Sequence, residues 1–318
     1  LEAHDSFYIG SDVFYSFLVE NGCWWLRLKQ HDRHAYLDDI DEARRRMITG
    51  TFPDSILQEF SEMLDYFGQS PIIVRSSSLL EDSYGNAFAG KYESVFCANQ
   101  GSQRKRLEDL IAAVKTIYAS TMSEKALRYR AQRGLLDRDE QMPLLVQRVS
   151  GSHYGHLFYP QLAGVGLSIN PYVWEKSIDP AAGMVRLVFG LGTRAVDRSD
   201  DDYTRIVALN EPERRPVADL GSMLHYSQRC IDVLDLDANQ LVSKDFQEVA
   251  QQSPALPIDV FAVKDSALLQ RFGEERSFAS SSWVLTFEQL LGQTDFVADM
   301  REMLATLHEA YQYPVDVE

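Results

Sequence analysis

The sequence predicts an α/β (α+β) protein with a helix-rich first lobe and an antiparallel, β-rich second lobe. Apolar residues recur at helical spacing between residues 11 and 133. After Pro143, short β-branched runs alternate with Gly, Pro and Ser, which is typical of antiparallel strands. We therefore predict an α/β lobe over residues 1–146 and a β-rich lobe over 147–318.

The helices of the first lobe are predicted from apolar faces bounded by capping residues and by glycines. The first begins at Ser11 or Asp12, and the second covers residues 38–47. The third opens at Pro53 and ends at Gly68, and two more cover Leu107 to Tyr118 and Ser123 to Arg133. Strands are predicted at Pro71 to Val74, Leu144 to Val146, around Phe158, at Val165 to Ile169, and at Val185 to Phe189. A last helix starts at Thr294, and Pro314 leads into a strand from Val315 to Glu318.

Charge and cysteine content exclude several classes of protein. The net charge of -16 among 318 residues disfavours binding to nucleic acid or to anionic lipid. The three cysteines are odd in number and widely spaced, so neither a disulfide framework nor a zinc knuckle is indicated, and a reducing cytoplasm is expected. No apolar stretch is long enough to span a bilayer.

A polar loop after the strand that ends at Val74 is the strongest candidate site. Arg75 and Ser76 open it, and a Phe-Ala-Gly segment ending at Gly90 precedes Ser94. A guanidinium group can grip phosphate oxygens with two hydrogen bonds, and serine hydroxyls and glycine amides can close over them. The alternative is a surface turn in which the arginine pairs with Glu81 or Asp82.

The order of these residues resembles the nucleotide-binding (PEP/pyruvate-binding) domain of the phosphoenolpyruvate synthase and pyruvate, phosphate dikinase family. There a strand runs into Arg-Ser-Ser, an acidic pair and Phe-Ala-Gly before a hydroxyl residue. The resemblance implies that Arg75, the catalytic candidate, contacts ATP phosphates and that the loop with Gly90 and Ser94 covers them. Lys91 stands where the family often has Gln, so the charge of the loop differs.

A second segment resembles the family's hinge strand, whose backbone reads the adenine edge. It runs from Leu145 to Gly151 and includes the candidate cofactor residues Gln147, Arg148 and Val149. Val146 and Val149 are expected to flank the adenine ring, because the base needs an apolar slot. The alternative is an ordinary interior strand.

A third segment, Gly190 to Gly192, resembles the family's Gly-Leu-Gly-Glu segment, whose acid lies near the ribose. Thr193 replaces that acid and is our candidate there. Either Arg194 or the aspartates at 200–202 compensate for it, or those aspartates form a solvated loop.

The last residues predict a Mg²⁺ site. Alternation in a strand puts Asp316 and Glu318 on one face, and hard cations prefer such carboxylate pairs. The resemblance implies that Glu318 is the better ligand and Asp316 the second. A strand with a solvated polar face is the alternative.

The resemblance implies an ATP-grasp fold that holds ATP and Mg²⁺ between its lobes, with Arg75 and Glu318 converging on one triphosphate. The partners expected from it are a phosphohistidine domain, in the full-length chain or in a separate protein, and a small acceptor such as pyruvate. A dikinase with another acceptor, or a sensor or scaffold that binds ATP and transfers nothing, are the alternatives. Because a Gly-Gly-Lys segment and a Gln-x-Arg strand of the family are missing, we expect a fragment with weak or absent ATP affinity.

Overall fold

The computed structural model describes residues 5–81, 91–196, 202–216, 219–272 and 282–318. The chain divides into two compact units. Unit 1 contains Leu1–Val149 and Asp235–Leu241, and unit 2 contains Ser150–Leu234 and Val242–Glu318. Among the residues described, no helix is both long enough and apolar enough to cross a bilayer.

Unit 1 combines one antiparallel sheet with helices that cover one of its faces. Its elements are β1 (Ser6–Ile9), α1 (Ser11–Glu20), α2 (Trp24–Lys29), α3 (Ile40–Thr49), α4 (Asp54–Phe67), β2 (Ile72–Ser76), β3 (Ser94–Cys97), α5 (Gln103–Ser120), α6 (Glu124–Gln132) and β4 (Leu144–Arg148). The strands lie in the order β1, β4, β2, β3. The predicted helices between residues 11 and 133 are confirmed, and the structure adds α2.

The core of unit 1 explains why its helices form where they do. Phe14, Phe17 and Leu18 of α1 are fully buried, as helical spacing on one face requires. The rings of Phe14 and Phe17 pack against Tyr118 of α5, with centroids 4.8 and 5.5 Å away. The predicted cap at Ser11 or Asp12 is wrong, because the helix begins at Ser11 and its N-cap is Gly10, which has no side chain to cap the helix.

The strands that follow Val149 form separate antiparallel sheets and lie in unit 2, except that residue 235 of β10 and residues 240 and 241 of β11 belong to unit 1. One has the order β14, β7, β8, β9 and another the order β11, β10, β6, β5, while β12 pairs with β13. The strands are β5 (Ser152–Tyr154), β6 (Leu157–Tyr159), β7 (Ala163–Leu167), β8 (Met184–Val188), β9 (Arg205–Ala208), β10 (Cys230–Asp235), β11 (Gln240–Asp245), β12 (Ala262–Lys264), β13 (Trp283–Leu285) and β14 (Asp316–Val317). The antiparallel character predicted after Pro143 is confirmed, but local patterns did not separate one sheet from another.

Helices are more numerous in the described part of unit 2 than the sequence predicted. They are α7 (Thr193–Val196), α8 (Leu220–His225), α9 (Phe246–Gln252), α10 (Ile258–Phe261), α11 (Asp265–Phe272), α12 (Glu288–Gln293) and α13 (Phe296–Tyr311), with a 3₁₀ turn at Pro180–Ala182. Only α13 was predicted, because the others are too short to show helical periodicity. A Cβ on Gly166 of β7 would lie 3.1 Å from Met300 of α13, so glycine lets this helix approach the sheet closely.

Candidate functional site

One face of the unit 1 sheet brings three of the predicted site residues together. Arg75 of β2 lies directly opposite Ser94 of β3, and Ile73 lies opposite Gln147 of β4. Directly opposed residues of antiparallel strands point to the same face, and so do residues two apart in one strand. Arg75, Ser94 and Gln147 therefore share one face, whereas Ile72 and the other fully buried strand residues occupy the face covered by helices.

The residues after β2 form a tight turn closed by an acid. Ser76 Oγ donates to Glu81 Oε1 at 2.8 Å, and the backbone N–H of Ser78 donates to Glu81 Oε2 at 3.3 Å. The backbone N–H of Leu80 donates to Ser78 Oγ at 3.1 Å. The Glu81 carboxylate thus fixes the start of the loop by accepting hydrogen bonds from Ser76 and Ser78, and the Ser76 hydroxyl already has a partner within the turn. The predicted phosphate-loop residue Gly90 lies outside the described residues.

A buried glutamate that the sequence analysis missed joins the two sides of this loop. Glu140 is fully buried, and its carboxylate accepts hydrogen bonds from the hydroxyls of Ser78 and Tyr92. Nη1 of Arg130, which is itself 1% exposed, lies 3.9 Å from Glu140 Oε2. Nothing in the local pattern distinguishes Glu140 from the neighbouring acids at 137 and 139, so the sequence carries no signal of its role.

Two backbone amides of the hinge segment donate hydrogen bonds within unit 1. The backbone N–H of Arg148 donates to Asp5 O at 3.0 Å, and that of Val149 donates to Pro71 O at 2.9 Å. The Arg148 guanidinium lies 3.0 Å from an Asp5 carboxylate oxygen and 5.5 Å from the ring centroid of Phe67. An adenine edge could bind either of these amides only by displacing the hydrogen bond that the amide already makes. The Arg148 side chain stabilises unit 1 through its contacts with Asp5 and Phe67.

The expectation that Val146 flanks an adenine ring is wrong. Its side chain is fully buried in the hydrophobic core of unit 1, on the face of β4 that the helices cover. Alternation in β4 therefore turns it away from the face that carries Gln147. Val149, which follows the strand, is 8% exposed.

In unit 2, the Gly-Leu-Gly segment forms a tight connection between β8 and α7. Gly190 has φ +89°, and a Cβ there would lie 2.8 Å from the backbone oxygen of Asp232, so glycine is required. Thr193 Oγ1 donates to Asp232 Oδ2 at 2.6 Å, and Arg194 Nη2 donates to Oδ1 at 3.0 Å. Asp232 on β10 therefore holds both residues that follow the glycines. The sequence carries no local signal of this role for Asp232, because it lies 39 residues from Thr193.

Asp202 has a structural part in the same network. Its carboxylate accepts the backbone N–H groups of Arg229 and Cys230 at 2.8 and 2.9 Å, and it lies 3.5 Å from Arg194. Its side chain is only 4% exposed, so the alternative of a solvated loop is wrong at this position. The other two aspartates of the run lie outside the described residues.

The two predicted metal ligands lie at the edge of the unit 2 sheet. Asp316 pairs with Leu167 of β7, and Val317 pairs with Gly166. The strand predicted over Val315 to Glu318 is shorter in the structure, where β14 covers only Asp316–Val317. Asp316 and Glu318 are nevertheless exposed while Val317 is half-buried, as the predicted alternation requires. Two carboxylates suit Mg²⁺, which usually keeps water and substrate phosphate oxygens as its other ligands. In the described parts of the chain, no group of three or more His, Cys, Asp or Glu side chains is placed to hold a metal.

Strand β7 lies beside both the Gly-Leu-Gly segment and these carboxylates. A Cβ on Gly192 would lie 3.5 Å from Ala163 at one end of β7, whereas Asp316 pairs with Leu167 at the other end. Four residues of strand span roughly 13 Å. The Gly-Leu-Gly segment therefore lies near one end of β7, and Asp316 pairs with the other end.

Comparison with known proteins identifies the family of the chain. Residues 1–318 match the family described as the pyruvate phosphate dikinase AMP/ATP-binding domain. A rifampicin phosphotransferase from Streptomyces sp is 26% identical over 207 residues, which is 62% of this chain and 22% of the relative. A phosphoenolpyruvate synthase from Helicobacter pylori is 24% identical over 232 residues, 68% of this chain and 26% of the relative.

A third relative is an uncharacterized phosphotransferase from Bacillus subtilis, 28% identical over 163 residues, which is 51% of this chain and 17% of the relative. The chain therefore spans between 17% and 26% of the length of these relatives. A match along its whole length nevertheless settles the family. The chain belongs to the AMP/ATP-binding domain family of pyruvate phosphate dikinase and the related phosphotransferases.

Proposed function

We propose that this chain binds Mg-ATP in an ATP-grasp arrangement and that a histidine on another domain or protein takes the β-phosphoryl group. The histidine nitrogen attacks the β-phosphorus and AMP leaves, after which water releases the γ-phosphate and the β-phosphoryl group stays on the histidine. From there the group passes to pyruvate or a related acceptor. The observation that carries the proposal is the direct pairing of Arg75 with Ser94 in a chain of an AMP/ATP-binding family. A guanidinium beside a hydroxyl on a partly exposed sheet face is suited to bind phosphate oxygens.

The proposed transfer is mainly a matter of positioning and charge neutralisation. Arg75 would hold phosphate oxygens, and Gln147 on the same face would contact the nucleotide. Asp316 and Glu318 would hold Mg²⁺, which neutralises charge on the phosphates when bound. Two of the relatives are named as phosphotransferases, which supports a transfer function for the natural protein.

The proposal is tested by incubating the full natural protein with ATP labelled on its β-phosphate. Label should appear on a histidine, and Arg75→Ala should lower the initial labelling rate by about 10- to 100-fold, since a hydrogen bond to a charged group is worth about 1.5–3 kcal/mol. Arg128→Ala is the matched control, because Arg128 forms an exposed helical ion pair with Glu124 in the same unit. Equal labelling in both variants would contradict the role of Arg75.

A sensor or scaffold that binds ATP without transferring a group is the second candidate. It is favoured by Thr193, which replaces the acid expected from the family and whose hydroxyl is engaged by Asp232. None of the seven histidines of this sequence lies in a Thr-x-Gly-Gly-x-x-x-His setting. ATP binding by the full natural protein without any phosphoenzyme, even with candidate partners present, would favour this second function.

A further inference from the structure

A cavity within unit 2 combines mainly apolar walls with two arginines. Its volume is about 260 Å³, close to the lower end of the range of about 300–1,000 Å³ that is usual for small-molecule sites. Tyr226 is 45% exposed, so the cavity opens to solvent beside that ring. The apolar and aromatic residues that line it are Tyr203, Ile206, Met223, Tyr226, Leu285 and Phe287.

The charged side chains that line this cavity are Arg205 and Arg215. Arg205 is 9% exposed, and its two Nη atoms donate to the backbone oxygens of Ile206, Pro212 and Arg214 at 2.9–3.5 Å. Its Nε is buried and has no hydrogen-bond partner among the residues that the structure describes. A buried N–H group without an acceptor is costly, so an acceptor that reached it would stabilise the site.

Glu288 compensates only one of the two positive charges. Its Oε1 lies 4.0 Å from Arg215 Nη2, which also donates to Thr286 O at 3.0 Å. Burial, and after it the positive charge of Arg215, lowers the pKa of Arg205 from 12.5 to about 9, so Arg205 is still charged at neutral pH. Two largely buried guanidinium groups and one carboxylate leave one positive charge in excess, which a single anionic group would neutralise.

Arg205 lies on the opposite face of its sheet from the candidate metal ligand Asp316. Arg205 pairs with Leu187, which pairs with Gly164, whereas Asp316 pairs with Leu167. Gly164 and Leu167 are three positions apart in β7, so these two positions belong to opposite faces. A ligand bound by Arg205 is therefore separate from a cation held by Asp316.

We propose that this cavity binds a small monocarboxylic acid with an apolar or aromatic body. A carboxylate accepts N–H groups from guanidinium groups and carries the single negative charge that would balance the two arginines. The body of the acid would fill the space lined by Met223, Leu285 and Phe287. Inorganic phosphate is a poorer match, because a strongly hydrated ion gains nothing from apolar walls. This site is additional to the proposed nucleotide site, and neither depends on the other.

The test is calorimetry on the full natural protein with benzoate and cyclohexanecarboxylate, each compared with its neutral amide. At least one acid should bind with one-to-one stoichiometry, and its amide should bind at least about tenfold more weakly because it lacks the charge. Arg215→Met should weaken binding of that acid at least about tenfold for the same reason. The matched control is Arg214→Met, because Arg214 pairs with Glu175 and does not line the cavity. It should leave the Kd within about twofold of the unchanged protein.

Hydrogen exchange of the unchanged protein locates the bound acid. The acid should slow exchange in residues 220–228 and 283–287 and leave the helices of unit 1 unaffected. If Arg215→Met does not fold, the comparison of acid with amide still decides the matter, because it needs no variant. Equal binding of acid and amide, binding of neither acid, or a preference for inorganic phosphate over both acids would overturn the proposal.

Discussion

Replacing Thr193 with valine tests whether the residue after the Gly-Leu-Gly segment is held by Asp232. Valine keeps the shape of the side chain but removes the donor 2.6 Å from Asp232 Oδ2. The Asp232 side chain is 14% exposed, so water replaces that donor only in part. A hydrogen bond to a charged group is worth about 1.5–3 kcal/mol. Arg194 still neutralises the other oxygen, so we expect a loss of about 1–2 kcal/mol in the free energy of unfolding.

Urea unfolding followed by tryptophan fluorescence measures this loss, and hydrogen exchange locates it. Faster exchange is expected for residues 187–196 and not for the helices of unit 1. The matched control is Thr116→Val, because the Thr116 hydroxyl donates to Ala112 O within one exposed helical turn. Its effect should stay below about 0.5 kcal/mol. If Thr193→Val is no more destabilising than Thr116→Val, the inference that the hydrogen bond to Asp232 stabilises this segment is wrong.

Three further predictions address backbone geometry, pH and metal. Gly190→Ala should lower the free energy of unfolding, measured in urea, by at least about 2 kcal/mol, because the φ of +89° and a backbone oxygen at 2.8 Å both oppose a Cβ. Gly134→Ala, where φ is +66° and the space is open, should lower it by about 1 kcal/mol. Equal costs would contradict the close contact at Gly190. Burial raises the pKa of Cys97 from 9.0 to about 12, so the unfolded chain loses this proton first and stability should fall as pH rises from about 9 to 12. Cys97→Ala should flatten that fall by up to about 1.4 kcal/mol per pH unit, and unchanged slopes would refute the assignment. Glu318→Gln should raise the Mg²⁺ concentration needed for half-maximal ATP binding at least about tenfold in the full natural protein. Glu309→Gln, at an exposed position, should leave that concentration unchanged, and equal effects of the two variants would exclude Glu318 as a ligand.

Local patterns were sufficient for the features that depend on neighbouring residues. Helical spacing predicted α1 and α5, because each buries one continuous apolar stripe. Alternation predicted the exposed carboxylates at 316 and 318, since successive side chains of a strand point to opposite faces. Val146 was expected to flank adenine because it is apolar. Its face of β4 is the one that the helices cover, and the local pattern of residues does not reveal which face that is.

The sequence alone determined the family resemblance, the antiparallel character of the second half and a strand at Pro71 to Val74, which the structure has at Ile72–Ser76. Only the tertiary structure revealed that Glu140 meets Ser78 and Tyr92, and that Asp232 meets Thr193. The physical reason is sequence separation. Secondary structure follows from residues a few positions apart, whereas the hydrogen bonds that hold these loops join residues 39 to 62 positions apart and exist only once the chain has folded.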